Sequence, residues 1–265
     1  MLGADFFVFL QTRNETINTM LGLDAVGRYA LLMKRTFSRP DNWKMFWRQL
    51  PREIIKLGYD SIFLILIISV FMGVIMTMQV VLNTENPLLP RYTTGLMLRD
   101  TYLLEFSSTI MCLLLAGKVG SNIASEIGSM CVSEQIDALE IMGVNSANYL
   151  ILPKIVGLVL FMPVLVTLCV AIGLLGGVGV ARFTDMITMD DFVYGLQYAF
   201  IPFYFTYSMI KSIFFGFVIA SVSAYYGYYA YGGALEVGRA STNAVVNSSI
   251  IMLLADIVLT QLMLN

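Results

Sequence analysis

The chain has 265 residues, of which 58% are hydrophobic and 13% are charged, and its formal net charge is -2. An ordinary soluble domain carries about 25% charged residues, so too few charges remain here to cover a water-facing globule. The small net charge offers no basic field for nucleic acid, and the absence of histidine removes histidine-based catalysis. We therefore expect an integral membrane protein with no nucleic-acid partner, no catalytic residue and no metal site.

The segment from Asp24 to Leu57 mixes aromatic and basic residues. Trp43 and Trp47 recur among lysines and arginines, a pattern typical of an amphipathic helix that lies on the membrane surface with its rings at headgroup depth. Nine of the sixteen Lys and Arg residues lie at or before Lys56. The positive-inside tendency therefore predicts that residues 1–57 form a cytoplasmic N-terminus and an interfacial helix.

Five apolar runs in residues 58–265 are long enough to span a membrane, which takes roughly 20 residues. The predicted spans are Ile62–Leu82, Leu96–Val119, Ile151–Val180, Phe203–Tyr226 and Val245–Leu264. The loops Ser121–Leu150 and Gly227–Asn243 then face the cytoplasm, whereas residues 83–95, residues 181–200 and the C-terminus lie outside. Within the second outer segment, Asp190–Phe200 is predicted to form a short surface helix.

The third predicted span contains a cluster of glycines. Gly173 and Gly177 have the G-x-x-x-G spacing that lets two helices approach closely. We expect close helix packing here, either within the subunit or across a dimer.

The loop between the second and third spans is predicted to hold a short cytoplasmic helix over about residues 133–144. Ser133 can cap its start, and Gly143 with Asn145 can stop it. Ile136, Leu139 and Met142 form an apolar edge, which needs either a partner protein or the body of its own chain. The predicted site residues of this helix are Glu134, Gln135, Asp137, Leu139, Met142 and Gly143.

Three ionisable residues fall inside predicted spans: Glu105, Lys211 and Asp256. A charge in hydrocarbon is costly, so such residues are functional candidates by default. Lys211 and Asp256 both lie near mid-membrane and could pair. The pair could serve transport, or it could only pin two helices together.

Two stretches of the chain resemble the MlaE-type permeases, which are membrane subunits of ABC transporters that work with MCE-domain proteins. Residues 116–157 (AGKVGSNIASEIGSMCVSEQIDALEIMGVNSANYLILPKIVG) resemble the core signature of that family, and residues 232–260 resemble its Gly-Arg-Ala-Thr and Ala-Asp segments. The likeness covers roughly Leu57–Asn265. One departure is that Leu104, before Glu105, replaces the arginine of the family's Arg-Glu-Leu-Gly-Pro run.

The resemblance implies a role for each predicted site. The helix at residues 133–144 would be the coupling helix that docks into a partner ATPase. Met76, Gln79, Val80 and Asn83 would line a lipid cavity at the axis of a homodimer, although contact with lipid or with another helix is the simpler explanation for each of these side chains taken singly. The chain itself lacks a G-x-x-x-x-G-K-[ST] phosphate loop, so ATP and Mg²⁺ would be bound by the partner and this chain would need no cofactor.

The expected fold is all-α: an N-terminal amphipathic interfacial helix, five transmembrane helices and a short cytoplasmic coupling helix. The resemblance implies a non-catalytic, multi-pass permease of the bacterial inner (cytoplasmic) membrane. It would move phospholipids, or related lipids, between that membrane and an MCE-domain protein outside, to maintain outer-membrane lipid asymmetry. Two alternatives are a proton-coupled secondary transporter that uses Glu105 or Asp256, which the lack of an inverted repeat argues against, and a non-transporting membrane scaffold.

Overall fold

The computed structural model describes residues 23–38, 43–84, 90–184 and 186–264. Residues 1–22 of the predicted cytoplasmic N-terminus lie outside the described residues. Within the described residues the chain is helical and contains no strand. Five helical runs are long and apolar enough to cross a membrane: Trp43–Thr84, Thr93–Val132, Ser146–Phe183, Pro202–Tyr228 and Ala234–Leu264. The predicted all-α membrane fold with five spans is confirmed.

The α-helices are numbered here in chain order. They are α1 Leu23–Thr36, α2 Trp43–Glu53, α3 Asp60–Thr84, α4 Thr93–Thr101, α5 Met111–Leu115, α6 Ser121–Val132, α7 Gln135–Ile141, α8 Ser146–Phe183, α9 Met189–Gln197, α10 Pro202–Tyr228 and α11 Ala234–Leu264. Three π-helical stretches, Ile54–Tyr59, Tyr102–Ile110 and Ala116–Gly120, join α2 to α3, α4 to α5, and α5 to α6.

The N-terminal amphipathic segment is two helices, α1 and α2, rather than the single helix that we expected. In α2 the Trp43 and Trp47 side chains are exposed while Leu50 is buried, so this helix has the two faces that its sequence predicts. It continues through a π-helical stretch directly into α3, so α2 and α3 belong to one helical run.

Both predicted cytoplasmic loops are shorter than expected, because their polar sequences continue the spanning helices. Residues 121–132 form α6, where Ile123, Ala124 and Ile127 lie buried on one face. The last span begins at Ala234 instead of Val245, and Val237 and Ala240 are buried along it. Hydropathy missed both stretches since their remaining positions are polar, whereas helical spacing of the apolar positions indicates them.

The glycine cluster brings α3 and α8 into close contact within one subunit. A Cβ atom added to Gly73 of α3 would lie 2.1 Å from the backbone oxygen of Gly173 in α8. A Cβ atom on Gly177 would lie 2.7 Å from Thr77 Oγ1. The predicted close packing is therefore found inside the chain, where small residues allow the two backbones to approach.

The helices outside the spans sit at opposite ends of the bundle. The Asn148 side chain, at the start of α8, donates to the carbonyl oxygens of Thr36 and Ser38 at 2.7 Å each, so α1 lies at the same end as α7. We call this the α7 end. The short helix α9, predicted as Asp190–Phe200, lies at the other end, where a Cβ atom on Gly195 would lie 2.0 Å from the Tyr92 oxygen.

Candidate functional site: the α7 loop helix and the buried charge cluster

The α7 helix is a single, tightly bounded helical segment. Its first turn is preceded by Glu134 in a left-handed conformation (φ 59°), and Gly143 follows it at φ 76°. Gly143 therefore ends the helix as predicted, because glycine adopts this conformation without steric cost. Ser133 does not cap α7, since it ends α6 and its hydroxyl donates to the Ser129 carbonyl at 2.8 Å. Asn145 caps the next helix, α8, by accepting from the Asn148 N–H.

The apolar edge of α7 divides between the protein core and the surface. Ile136 is only 4% exposed and packs in the main hydrophobic core, so it is not available to a partner. Leu139 is half-buried, and Met142 is 68% exposed. Ile141, which the sequence reading did not single out, is 87% exposed. The exposed apolar tip of this helix is therefore Ile141 and Met142.

The polar residues predicted for the coupling helix are accessible. Glu134, Gln135 and Asp137 are all exposed on the first turn of α7. Together with Ile141 and Met142 they form a surface with an acidic side and an apolar side. Such a surface suits a groove in another protein, with apolar contacts supplying affinity and charges supplying register.

A hydrogen-bonded triangle fixes the far end of α7 to the bundle. Glu140 Oε1 accepts hydrogen bonds from Ser146 Oγ at 3.0 Å and from Tyr228 OH at 3.1 Å. The Ser146 and Tyr228 hydroxyl oxygens are themselves 2.8 Å apart. Because Ser146 starts α8 and Tyr228 ends α10, these hydrogen bonds tie α7 to two spans.

An ion-pair network links the two helices on either side of α7. Lys154 of α8 is 3% exposed, and its Nζ lies 2.7 Å from Glu126 Oε2 in α6 and 2.8 Å from Glu53 Oε2 in α2. Lys56 pairs with the other oxygen of Glu126 at 2.8 Å. The network ties α2 to both helices that flank α7. Sequence reasoning missed it, although Glu126 and Lys154 are charges in otherwise apolar surroundings.

Lys211 of α10 is the centre of a charge cluster inside the bundle. Its side chain is 0% exposed, and Nζ contacts Asp256 Oδ1 and, at 3.2 Å, Glu105 Oε2. Nζ also donates to the Leu104 carbonyl at 3.2 Å. The pairing of Lys211 with Asp256 that the sequence suggested is present, and Glu105 shares the same cation.

Thr109 stands between the two carboxylates of this cluster. Its Oγ1 lies 3.1 Å from Glu105 Oε2 and 3.1 Å from Asp256 Oδ2, and a single hydroxyl proton serves one of them at a time. Glu105 is 43% exposed while Asp256 is 14% exposed, so the cluster is closed around Lys211 and open at Glu105. The arrangement joins the second, fourth and fifth spans.

Arg99 does not take the place of the arginine missing before Glu105. It pairs with Asp100 at 2.8 Å and donates to the carbonyls of Leu196 and Tyr198 at 3.0 Å and 2.8 Å. It therefore holds α9 against α4 at the far end of the bundle. The cation beside Glu105 is Lys211.

The four residues predicted for the lipid cavity lie along one side of α3. Met76 and Val80 pack against a smaller core cluster that includes Tyr102 and Phe192, whereas Gln79 and Asn83 are exposed. Phe106, the neighbour of Glu105, packs against the same cluster. Two of the four predicted side chains therefore pack into the protein, and the other two are exposed.

An apolar cleft of about 460 Å³ occupies another side of α3, where it meets α8. Val74, Met78, Leu175 and Phe183 are among its lining residues. Its wall is almost entirely apolar, as an acyl chain requires.

Comparison with known proteins gives a consistent result along most of the chain. Residues 50–262 match the family described as Permease MlaE. Proteins of Rickettsia bellii and Rickettsia prowazekii, each named a probable ABC transporter permease protein, are 30% and 31% identical, covering 90% and 92% of this chain and 92% and 94% of the relatives. Protein TRIGALACTOSYLDIACYLGLYCEROL 1, chloroplastic, of Arabidopsis thaliana is 32% identical over 82% of this chain and 62% of its own length.

Proposed function

This chain belongs to the MlaE permease family, and from that premise we propose that it is the ABC transporter subunit that moves phospholipids, or related lipids, between the bacterial inner membrane and an MCE-domain protein outside. It is a multi-pass membrane permease with an ATPase partner. We further propose that its biological role is to maintain outer-membrane lipid asymmetry. We also propose that this chain needs no cofactor of its own and that the ATPase binds ATP and Mg²⁺.

The observation that carries this proposal is the exposed tip of α7. Ile141 and Met142 are 87% and 68% exposed on a helix whose opposite side is anchored through Ile136 and Glu140. Exposure of two large apolar side chains to water does not stabilise a loop that has no partner, whereas a coupling helix needs an exposed apolar surface on a firmly anchored helix. We place this end in the cytoplasm, where the ATPase works.

The charge distribution supports that orientation. Among the described residues, the cations at the opposite end are Arg91, Arg99 and Arg182. The α7 end carries the basic residues of α1 and α2, and Lys154 and Arg239 lie at the same end of the bundle. The positive-inside tendency therefore favours a cytoplasmic α7 end and a cytoplasmic N-terminus.

Lipid cargo and a homodimer are supported by separate observations. The name of the Arabidopsis thaliana relative contains that of a galactolipid, which favours a lipid substrate for this chain too. The last span, α11, exposes Ile250, Leu254 and Ile257, so a broad apolar face is free in the single subunit. We propose that a second copy covers part of this face, leaving a cavity for lipid that Met76, Gln79, Val80 and Asn83 help to line.

Ile141→Asp combined with Met142→Asp tests the proposal. The chain is co-expressed with the ATPase of the same transporter, and two quantities are measured: ATPase that co-purifies, and ATP-dependent transfer of labelled phospholipid from vesicles to an MCE-domain acceptor. We expect both to be lost. Leu235→Asp, at an exposed apolar position (70%) in the first turn of α11, is the matched control and should leave both intact. Unchanged binding and transfer in the double variant would refute the coupling role.

The proton-driven alternative is separated by a second measurement. An ATPase variant that cannot hydrolyse ATP should abolish lipid transfer, whereas an uncoupler that collapses the proton gradient should leave it unchanged. Transfer that stops with the uncoupler and with Asp256→Asn, but continues without the ATPase, would favour the secondary transporter instead.

A further inference from the structure

A pocket of about 330 Å³ that contains charged side chains lies at the α7 end, away from the α7 helix itself, where α1 meets the end of α10 and the start of α11. Its lining includes Arg28, Arg239, Glu236, Tyr225, Tyr229 and Asn243. The side chains come from three helices, so the pocket is formed by the fold rather than by one loop. Arginine and tyrosine are suited to a phosphate, because both donate hydrogen bonds to its oxygens.

The pocket carries an excess positive charge. Within the part of the chain that the structure describes, Arg28 has no carboxylate partner. Arg239 pairs with Glu236 at 2.6 Å, but the two side chains are 65% and 42% exposed. An exposed pair of this kind contributes little, so Arg239 can turn towards an anion at small cost.

An apolar groove of about 260 Å³ continues from this pocket along the bundle. Pocket and groove share Ala25, Tyr225 and Tyr226, and the groove extends over Val26, Val218, Val222 and Ile251. From Tyr229 to Val218 the α10 helix rises about 16 Å, which is close to half of the ~30 Å hydrocarbon thickness of a bilayer. Pocket and groove together therefore reach through about one leaflet.

Tyr29 holds α1 against the bundle beside the groove. Its hydroxyl donates to Ser221 Oγ at 2.8 Å, and burial raises the pKa of this phenol, so it stays protonated as a donor. Its ring meets that of Tyr225 edge-on, with centroids 5.9 Å apart. The groove thus has a fixed wall on the α1 side.

We infer that pocket and groove together form a binding site for one anionic phospholipid of the leaflet at the α7 end, with the phosphate beside Arg28 and Arg239 and an acyl chain along Val26 and Val222. The polar and apolar parts are contiguous, lie in the order of headgroup and chain, and have the length of one leaflet. A free phosphate would use the pocket alone and leave the groove without an occupant.

The site is formed by α1, α10 and α11, whereas the proposed cavity near Met76 is on α3 and at the other membrane face. It adds to the proposed function a lipid-binding site in the cytoplasmic leaflet. It rests on the proposed function only for the assignment of this leaflet to the cytoplasmic side. Lipid retention is measured without the ATPase. Failure of this site and failure of the coupling role are therefore recognised separately.

The experiment measures which lipid stays with the protein. The full chain is reconstituted in vesicles of equal phosphatidylglycerol and phosphatidylcholine, extracted in mild detergent, and the lipid retained per protein is quantified by mass spectrometry. We expect phosphatidylglycerol to be enriched over phosphatidylcholine. Arg28→Gln with Arg239→Gln should weaken phosphatidylglycerol binding about tenfold, the size expected for losing charge-assisted hydrogen bonds.

Two further variants separate the site from general effects. Arg52→Gln removes a cation from the same end but outside the site, and should leave retention unchanged. Val26→Trp fills the groove from an exposed position (65%) without a change in charge, and should reduce retention as the arginine variant does. Equal retention of the two lipids by the native chain, full retention by the double arginine variant, or displacement of the lipid by inorganic phosphate would each overturn the inference.

Discussion

Lys154 Nζ lies 2.7 Å from Glu126 Oε2, although the first residue follows α7 in the chain and the second precedes it. The pair joins the two helices that flank the loop helix, and Glu53 of α2 contacts the same lysine. One buried ammonium group therefore ties α2, α6 and α8 together beside the loop helix.

Replacement of that ammonium group should destabilise the protein strongly. Lys154→Met leaves Glu53 unpaired and Glu126 with Lys56 alone, and removal of one partner of a buried pair costs up to about 3–5 kcal/mol. We expect a clear loss of thermal stability for the purified chain in detergent. Glu236→Gln, which breaks an exposed pair, is the control and should change stability by about 1 kcal/mol or less. Equal effects of the two variants would show that the network is not buried as described.

The cluster around Lys211 should show strong coupling between its members. Lys211→Met leaves Asp256 and Glu105 as unpaired negative charges in the bundle, whereas adding Asp256→Asn to it removes the more buried of the two. The double variant should therefore be more stable than Lys211→Met by more than about 1 kcal/mol, because an unpaired buried charge costs more than a missing pair. Thermal unfolding of the two singles and the double completes the cycle. Additive losses would contradict the ion pair.

Glu105→Gln should be milder than Asp256→Asn in the same measurement. Glu105 is 43% exposed and Asp256 is 14% exposed, and loss of the Glu105 charge leaves the contact between Lys211 and Asp256 in place, whereas loss of the Asp256 charge removes it. If lipid transfer falls in Glu105→Gln while stability is kept, the open edge of the cluster serves transport rather than helix pinning.

The contact between α3 and α8 can be tested with two alanine substitutions. Gly73→Ala places a methyl group 2.1 Å from the Gly173 oxygen, so the helices must separate, and overpacking of this kind costs about 1–3 kcal/mol. Gly179→Ala, on α8, is the matched control, since nothing lies within 4 Å of its added methyl group. Alanine favours the helix over glycine by about 1 kcal/mol, so the control should be neutral or slightly stabilising. Thermal unfolding of both variants checks the contrast, which fails if Gly73→Ala behaves like Gly179→Ala.

Sequence alone predicts the spans well because hydrophobicity over about 20 residues is a strong signal. It predicts their ends poorly: α6 and the first turns of α11 carry many polar residues, and only the spacing of residues such as Ile123 and Ile127 indicates helix there. The sequence could not indicate most of the contacts between side chains of different helices. The sequence suggested Lys211 with Asp256, but a hydroxyl bridge at Thr109 or a shared cation for Glu105 depends on helix rotation, which hydropathy does not define.

The site on α7 shows the same division. The sequence indicated a short helix that ends at Gly143, because glycine is the residue that accepts a positive φ at a helix end. It could not indicate which apolar residues face inward. Ile136 is buried and Ile141 is exposed, and that difference is set by how α7 rests on α8 and α10.

The hydroxyl of Tyr228 should decide how well α7 transmits movement. Tyr228→Phe removes the donor to Glu140 and the contact to Ser146 but keeps the ring, so the fold should persist while α7 loses its link to α10. We expect the ATPase still to co-purify, because Ile141 and Met142 are untouched, and we expect less lipid to be transferred for each ATP hydrolysed. Tyr59→Phe removes an exposed hydroxyl at the same end and should leave that ratio unchanged. A normal ratio in Tyr228→Phe would show that the hydrogen bond from Tyr228 to Glu140 is not needed for coupling.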